Sequence, residues 1–230
     1  MSTLSTRSLA GRTIVGFVQL IVLLMILLFG PAWTTRYWQA WIYLSVFSAS
    51  TAMITAYLWW KDPKLLERRV NAGPRAETEK YQKVIQLFAS LSFIGVLLLP
   101  SLDHRFFWSK VPLGAAVAGD FLVALGFLTV YVVFKQNTYT SATIEVVTGQ
   151  QVVSTGPYAI VRHPMYTGAL VVLFGTPLAL GSWWGLLMII PMAIVISLRL
   201  LDEEKFLSGS LPGYRDYCRR VKFRLVPYVW

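Results

Sequence analysis

The sequence predicts an all-α, polytopic membrane protein of about six transmembrane helices that ends in a helical hairpin. Three observations predict it. Of 230 residues, 56% are hydrophobic and only 14% charged, where a water-soluble domain carries about a quarter charged. The apolar residues gather in long runs, each near the roughly 20 residues that cross a hydrocarbon core. The basic residues between the runs fall almost entirely on one side. This composition excludes a disordered chain, a collagen and a coiled coil. A single cysteine, Cys218, excludes an intramolecular disulfide framework and a cysteine metal cluster, and two histidines leave little for a metal site. No metal is expected, and the length suits one integrated membrane unit.

In chain order the predicted spans are Arg12–Trp33, Trp38–Trp60, Val84–Pro100 and Pro112–Phe134, followed by a hairpin of Thr167–Leu180 and Trp183–Leu201. The first run is longer than the apolar segment of a signal peptide, and Pro31-Ala32-Trp33 is a poor cleavage site. It reads as a span. Thr167–Leu180 is short and contains Gly175 and Pro177, so it is compatible with a tilted, kinked or partial crossing.

With the N-terminus in the cytoplasm, 18 of the 21 Lys and Arg lie inside, and only Arg36, Arg105 and Lys110 lie outside. That asymmetry is the positive-inside pattern and accounts for the net charge of +10 without nucleic acid. All nine tryptophans fall at span ends or in short connections, the headgroup layer that indole prefers. An even number of spans puts both termini in the cytoplasm. The loop 61–83 mixes both charge signs and reads as a solvated segment touching lipid headgroups. Asp120 sits about two turns into the fourth span, where a carboxyl is expensive; a structural and a functional role both fit.

Three polar groups stand out on the cytoplasmic side of the last third. The first is GPYAIVRHPMYTG, residues 156–168. Pro164 suits the first position of a helix with His163 as its cap, so free N–H groups would face the cytoplasm. Tyr158 and Tyr166 offer aromatic faces for a flat ring or a cation. The second is RLLDEEKFL, residues 199–207, where Arg199 and Glu203 share one helix face. Asp202, Glu203 and Glu204 near the end of a helix oppose its dipole, which suggests a cationic partner, either tail arginines or a ligand. The third is PGYRDYCRRVKFRLVP, residues 212–227. Its interleaved basic and apolar residues suit a segment lying on an anionic leaflet, and are also compatible with a lid folded back over a site.

These three motifs, in this order, resemble the isoprenylcysteine carboxyl methyltransferase family, especially its bacterial members. The resemblance runs from about Asn137 to Trp230. It divides the chain into N-terminal transmembrane helices with a basic loop, 1–136, and a catalytic region, 137–230. RHPxY alone also occurs in sterol-reductase-like membrane enzymes, usually with Asn before the Tyr and an acidic residue after it. Here those places hold Met165 and Thr167-Gly168-Ala169. The resemblance implies S-adenosyl-L-methionine in a cytoplasmic pocket, with contacts from Tyr158, His163, Pro164, Met165, Tyr166 and Glu203. It also implies that Gln150, Gln151, Val152 and Val153 line that pocket as a strand-like stretch. Arg199 takes the place of the arginine that holds the substrate carboxylate. A further polar contact aligns with either Thr143 or Glu145. A bacterial-type member implies the inner membrane.

The residues agree with such a chemistry. Glu203 with Glu204 suits the cofactor's ammonium, and the tyrosines suit its adenine. A carboxylate acceptor is already ionised at pH 7, so no general base is required. Holding oxygen, methyl carbon and sulfur in line and desolvating the carboxylate beside Arg199 would suffice. Apolar walls from the last two spans would receive a lipophilic substrate entering from the bilayer. The alternatives are a phospholipid N-methyltransferase, an NADPH-dependent sterol-type reductase and a non-enzymatic membrane transporter.

Overall fold

A computed structural model describes residues 3–70, 80–140, 146 and 149–230. The chain runs through α1 (Thr3–Ala32), α2 (Trp38–Lys61), α3 (Pro63–Val70), α4 (Lys80–Phe106) and α5 (Leu113–Gln136). A short 3-10 turn, Gly156–Ala159, precedes α6 (Pro164–Ala179), and a second, Trp184–Met188, leads into α7 (Ile189–Ser210) and α8 (Tyr214–Arg220). The architecture is all-helical, with no strand among the described residues. Among the described residues, five helices are long and apolar enough to cross a membrane: Leu9–Ala32, Trp38–Lys61, Gln82–Phe106, Leu113–Gln136 and Trp184–Ser210. Large apolar side chains such as Ile14, Phe88, Phe121 and Ile190 stay exposed on their outer faces. That surface demands lipid rather than water.

Two boundaries differ from expectation. The sixth apolar helix, α6, has 16 residues, about 24 Å against a core of roughly 30 Å. It is therefore a short helix tucked against longer ones, beginning at Pro164 and ending at a turn where Gly181 takes φ 74°. The second difference is α7, which continues nine residues past the expected Leu201 to Ser210. Asp202, Glu203 and Glu204 thus lie within the helix rather than at its last turn, and the dipole argument against them weakens.

Helices α5 and α6 touch backbone to backbone, and glycines at matched spacing permit it. A Cβ on Gly119 would lie 2.2 Å from the Ala179 nitrogen, and one on Gly126 2.6 Å from the Gly168 carbonyl oxygen. Reciprocally, a Cβ on Gly168 would meet the Gly126 carbonyl at 2.9 Å, and one on Gly175 the Gly119 carbonyl at 2.7 Å. Gly119 and Gly126 are seven apart, as are Gly168 and Gly175, so the same face recurs every two turns. Close approach of this kind is how helices associate where lipid removes the hydrophobic drive. Asp120, beside Gly119, is buried, and its Oδ1 has no hydrogen-bond partner among the described residues.

At the other end of α6, buried Asp103 accepts hydrogen bonds from the Ser109 hydroxyl (2.6 Å) and amide (2.7 Å) and from the Ser182 hydroxyl. The Tyr37 hydroxyl donates to the Leu180 carbonyl at 2.6 Å. The hairpin turn is thereby tied to α4 and to the start of α2.

Gly119→Ala should lower the thermal midpoint by the equivalent of about 1–3 kcal/mol, because a methyl has no room against the α6 backbone. Gly114→Ala, in open space on the same helix, should leave the midpoint unchanged or raise it slightly. A melting series in detergent monitored by intrinsic fluorescence checks the pair.

Candidate active site

The segment before α6 is shaped by two backbone devices. Gly156 adopts φ 59°, a left-handed conformation that opens the 3-10 turn. Pro164 then occupies the first helical position with His163 at the cap. The His163 side chain does not cap the helix. Its Nε2 turns instead to Glu204 Oε1 at 3.3 Å. The same carboxylate takes the Arg162 guanidinium at 2.8 Å and Arg224 Nε at 3.0 Å.

Glu204 is therefore not a wall of the site, contrary to the expectation that it joins Glu203 on an ammonium. Neighbours on a helix point about 100° apart. When Glu203 faces inward, Glu204 faces the Arg162-His163 segment and the tail. Pro164 also stays off the cavity wall, buried as the helix start.

The tail folds back. The Arg162 amide donates to the Phe223 carbonyl (2.9 Å) and the His163 amide to the Arg224 carbonyl (3.0 Å). The Thr167 hydroxyl donates to the Leu225 carbonyl at 2.8 Å. On α8 and its flanks, Leu211, Tyr214, Tyr217 and Val221 face inward while Arg215, Asp216, Arg219 and Arg220 face out, one apolar stripe at helical spacing. The Tyr217 hydroxyl donates to the Tyr158 carbonyl at 2.8 Å. Of the two readings of this tail, folding back as a cover is the one its inner face takes.

Between these parts lies a cavity of about 380 Å³, within the range of small-molecule sites. Nearly every site residue expected from sequence lines it: Tyr158, His163, Met165, Tyr166, Arg199, Glu203 and Gln150 through Val153. The last four form no strand. Thr143 and Glu145 lie outside the described residues.

The Tyr166 hydroxyl donates to Glu203 Oε2 at 2.7 Å, which aims that carboxylate. Arg199 Nη1 donates to Gln82 Oε1 at 2.8 Å, and the Gln82 amide nitrogen in turn donates to Asp202. Gln82 is almost fully buried and holds the Arg199 fork. Asn137 donates to the Tyr158 hydroxyl at 3.0 Å. Burial pushes the Tyr158 phenol up to about 12 and raises those of Tyr214 and Tyr217 as well, so all three remain neutral at physiological pH. Val195 and Ile196, one turn before Arg199, line the cavity together with Ile85 and Ala89.

Arg69 is a wall residue that no sequence motif marks. It belongs to α3, inside the loop taken as solvated. Helix α3 starts where the Asp62 carboxylate accepts the Leu65 amide at 3.0 Å, with Pro63 at the first position. Asp-Pro ahead of Leu65-Leu66 is a legible helix start. Leu65 and Leu66 are buried, and the Arg68 guanidinium reaches the Thr138 carbonyl. Arg69 Nη2 points at Met165 Sδ, 3.0 Å away, and its guanidinium lies 4.7 Å from the Phe134 ring centre. Burial draws its pKa down to about 10, which leaves it charged at neutral pH.

Removing one charge from the Glu204 cluster separates fold from site. Glu204→Gln leaves buried arginines unanswered, at a cost on the order of 3 kcal/mol. Hydrogen exchange should quicken at the Arg162 and His163 amides that bond the tail, whereas Glu203→Gln should leave them protected.

Two comparisons with known proteins bear on the site. Residues 115–211 match the family model for phospholipid methyltransferases, a stretch that contains His163, Tyr166, Arg199 and Glu203. The chain is also similar to Delta(14)-sterol reductase TM7SF2 of Mus musculus, 32% identical over 95 residues. That stretch is 38% of this chain and 22% of the reductase, so the chain spans about a fifth of the length of that relative.

Proposed function

We propose that this chain is an integral-membrane methyltransferase. It binds S-adenosyl-L-methionine in the cavity and transfers methyl to the carboxylate of a prenylcysteine-like or other lipophilic acceptor. The observation that carries this reading is Arg199 and Glu203, one helical turn apart on a single cavity wall, inside the stretch matched by a methyltransferase family model. When bound, the cofactor supplies an electrophilic methyl on a sulfonium. The residues present fit it. Glu203, aimed by Tyr166, suits its ammonium, and Tyr158 with the Gln150–Val153 edge suits the nucleoside.

Arg199 orients the acceptor carboxylate. Arg199 would hold the carboxylate oxygen toward the cofactor's methyl; transfer would break the carbon–sulfur bond, leave a methyl ester and a neutral thioether, and ask no side chain to take a proton. The apolar wall of Val195, Ile196, Ile85 and Ala89 suits a lipid chain arriving from the bilayer. It lies deeper than Arg199, which is consistent with entry from the side. The basic asymmetry of the loops supports cytoplasmic termini and a cytoplasmic cavity, in a bacterial inner membrane by resemblance. Membrane lipids surround the helices, and no nucleic acid is involved.

Two other readings each rest on one observation. The description of the family model favours transfer to a phospholipid amine, but an amine gains nothing from a held arginine beside it. The similarity to a sterol reductase favours hydride transfer from NADPH to a lipid double bond.

Calorimetry of the detergent-solubilised protein should give micromolar binding of S-adenosyl-L-methionine. Glu203→Gln and Tyr166→Ala should each weaken it roughly 10-fold or more, the loss of a charge-assisted contact. A folded, monodisperse sample that binds NADPH and not this donor sinks the methyltransferase reading. In a methyl-transfer assay with carboxylate and amine acceptors, Arg199→Lys keeps the charge but loses the planar fork. It should keep donor affinity and lower kcat/KM for the carboxylate by roughly 10-fold or more.

A further inference from the structure

We infer that Arg69 is a second anion-binding arginine of the cavity, holding the carboxylate at the amino-acid end of the methyl donor while Glu203 holds the ammonium. The inference rests on the methyltransferase reading for the identity of the anion, but not for the existence of an anion site. Arg69 comes from α3, outside the residues that the family model matches, and no sequence motif singled it out.

The contacts around Arg69 suit an anion. The guanidinium is held by soft contacts, one N–H on the Met165 sulfur at 3.0 Å and its face near the Phe134 ring. Its Nε is buried with no hydrogen-bond partner, and it has no ion-pair partner, among the described residues. Arg162, on the same wall, is treated differently, since Glu204 answers its charge at 2.8 Å. A half-buried cation without a carboxylate in contact is costly, and a ligand anion would offset that cost.

Arg69 meets Met165, and Glu203 meets the next residue, Tyr166; the field of Glu203 also reaches Arg69. A positive and a negative side chain thus share one end of the cavity, which matches an α-amino acid zwitterion. Two carboxylates meet in this reaction, one on the donor and one on the acceptor, and besides Arg162, which Glu204 pairs, the cavity wall carries two arginines, Arg69 and Arg199. Arg199, braced by Gln82 below Glu203, takes the acceptor's. Arg69 takes the donor's.

The test compares S-adenosyl-L-methionine with its decarboxylated analogue by calorimetry, on wild type, Arg69→Gln and Arg69→Lys. Wild type should prefer the intact donor by roughly 10- to 100-fold. Arg69→Gln should lose that preference through weaker binding of the intact donor alone, and Arg69→Lys should keep part of it. A preference unchanged in Arg69→Gln overturns the inference, as does a wild type that binds both compounds equally. If Arg69→Gln keeps donor affinity but raises the KM of a carboxylate acceptor, the anion belongs to the acceptor and the donor assignment falls. Wild type that binds neither compound defeats the methyltransferase reading instead. The anion site then stands or falls on sulfate: thermal stabilisation of wild type that Arg69→Gln lacks upholds it, and equal stabilisation of both overturns it.

Discussion

Two arginines and a histidine converge on one buried carboxylate, Glu204, and that convergence sets how α7, the start of α6 and the tail meet around the cavity. The partners come from separate stretches: Arg162 and His163 just before α6, and Arg224 in the tail. One side chain on α7 therefore locks three segments together. A lone carboxylate at this depth would be expelled or neutralised. With two guanidiniums on it, the charge is answered and the ion becomes a fixed point. Backbone hydrogen bonds from Arg162 and His163 to the tail then fix α8, which brings Tyr214 and Tyr217 over the cavity.

The glycine contact between α5 and α6 supplies the second coordinate. Because the two backbones touch at Gly126–Gly168 and Gly119–Gly175, α6 has little freedom to slide. Its first residues, His163 and Pro164, sit at a set depth against the end of α5. Asn137, just past α5, reaches Tyr158 from there. A helix too short to span on its own terms serves here as a shelf: its N-terminal turn presents Met165 and Tyr166 to the cavity, while its outer end is tied at Leu180 and Ser182.

The spans were legible in the sequence because lipid imposes a crude rule of length and apolarity that needs no knowledge of neighbours. The motif residues were legible because polar side chains at a membrane boundary stand out. Three things were not. The phase of α7 decides whether Glu203 or Glu204 faces the cavity, and the sequence shows both as adjacent carboxylates; only the Arg162 and Arg224 positions resolve it. The length of α7 was hidden because its last turns are polar, and apolarity was the signal being read. Arg69 was hidden by distance along the chain, since the Met165 it meets is 96 residues away. The Asp62-Pro63 start and the Leu65-Leu66 pair were a local signal that α3 packs, and so that one flank of the loop faces inward.

The charge on the cavity wall narrows the chemistry it can perform. Among the described residues its ionised groups are Arg69, Arg199 and Glu203, with Arg162 already answered by Glu204. Tyr158, Tyr214 and Tyr217 have phenols raised by burial and accept no proton at neutral pH. The His163 Nε2 is directed at Glu204 rather than at the cavity. Glu203 accepts from Tyr166 and is the one carboxylate on the wall among the described residues. A wall so poor in proton acceptors suits a nucleophile that arrives ionised and leaves no proton behind. An acceptor amine, protonated in water, would have to shed a proton before attack, and Glu203 is the side chain the donor's own ammonium would claim. A carboxylate needs only desolvation and a cation to orient it, and Arg199, braced by Gln82 above an apolar wall, offers both.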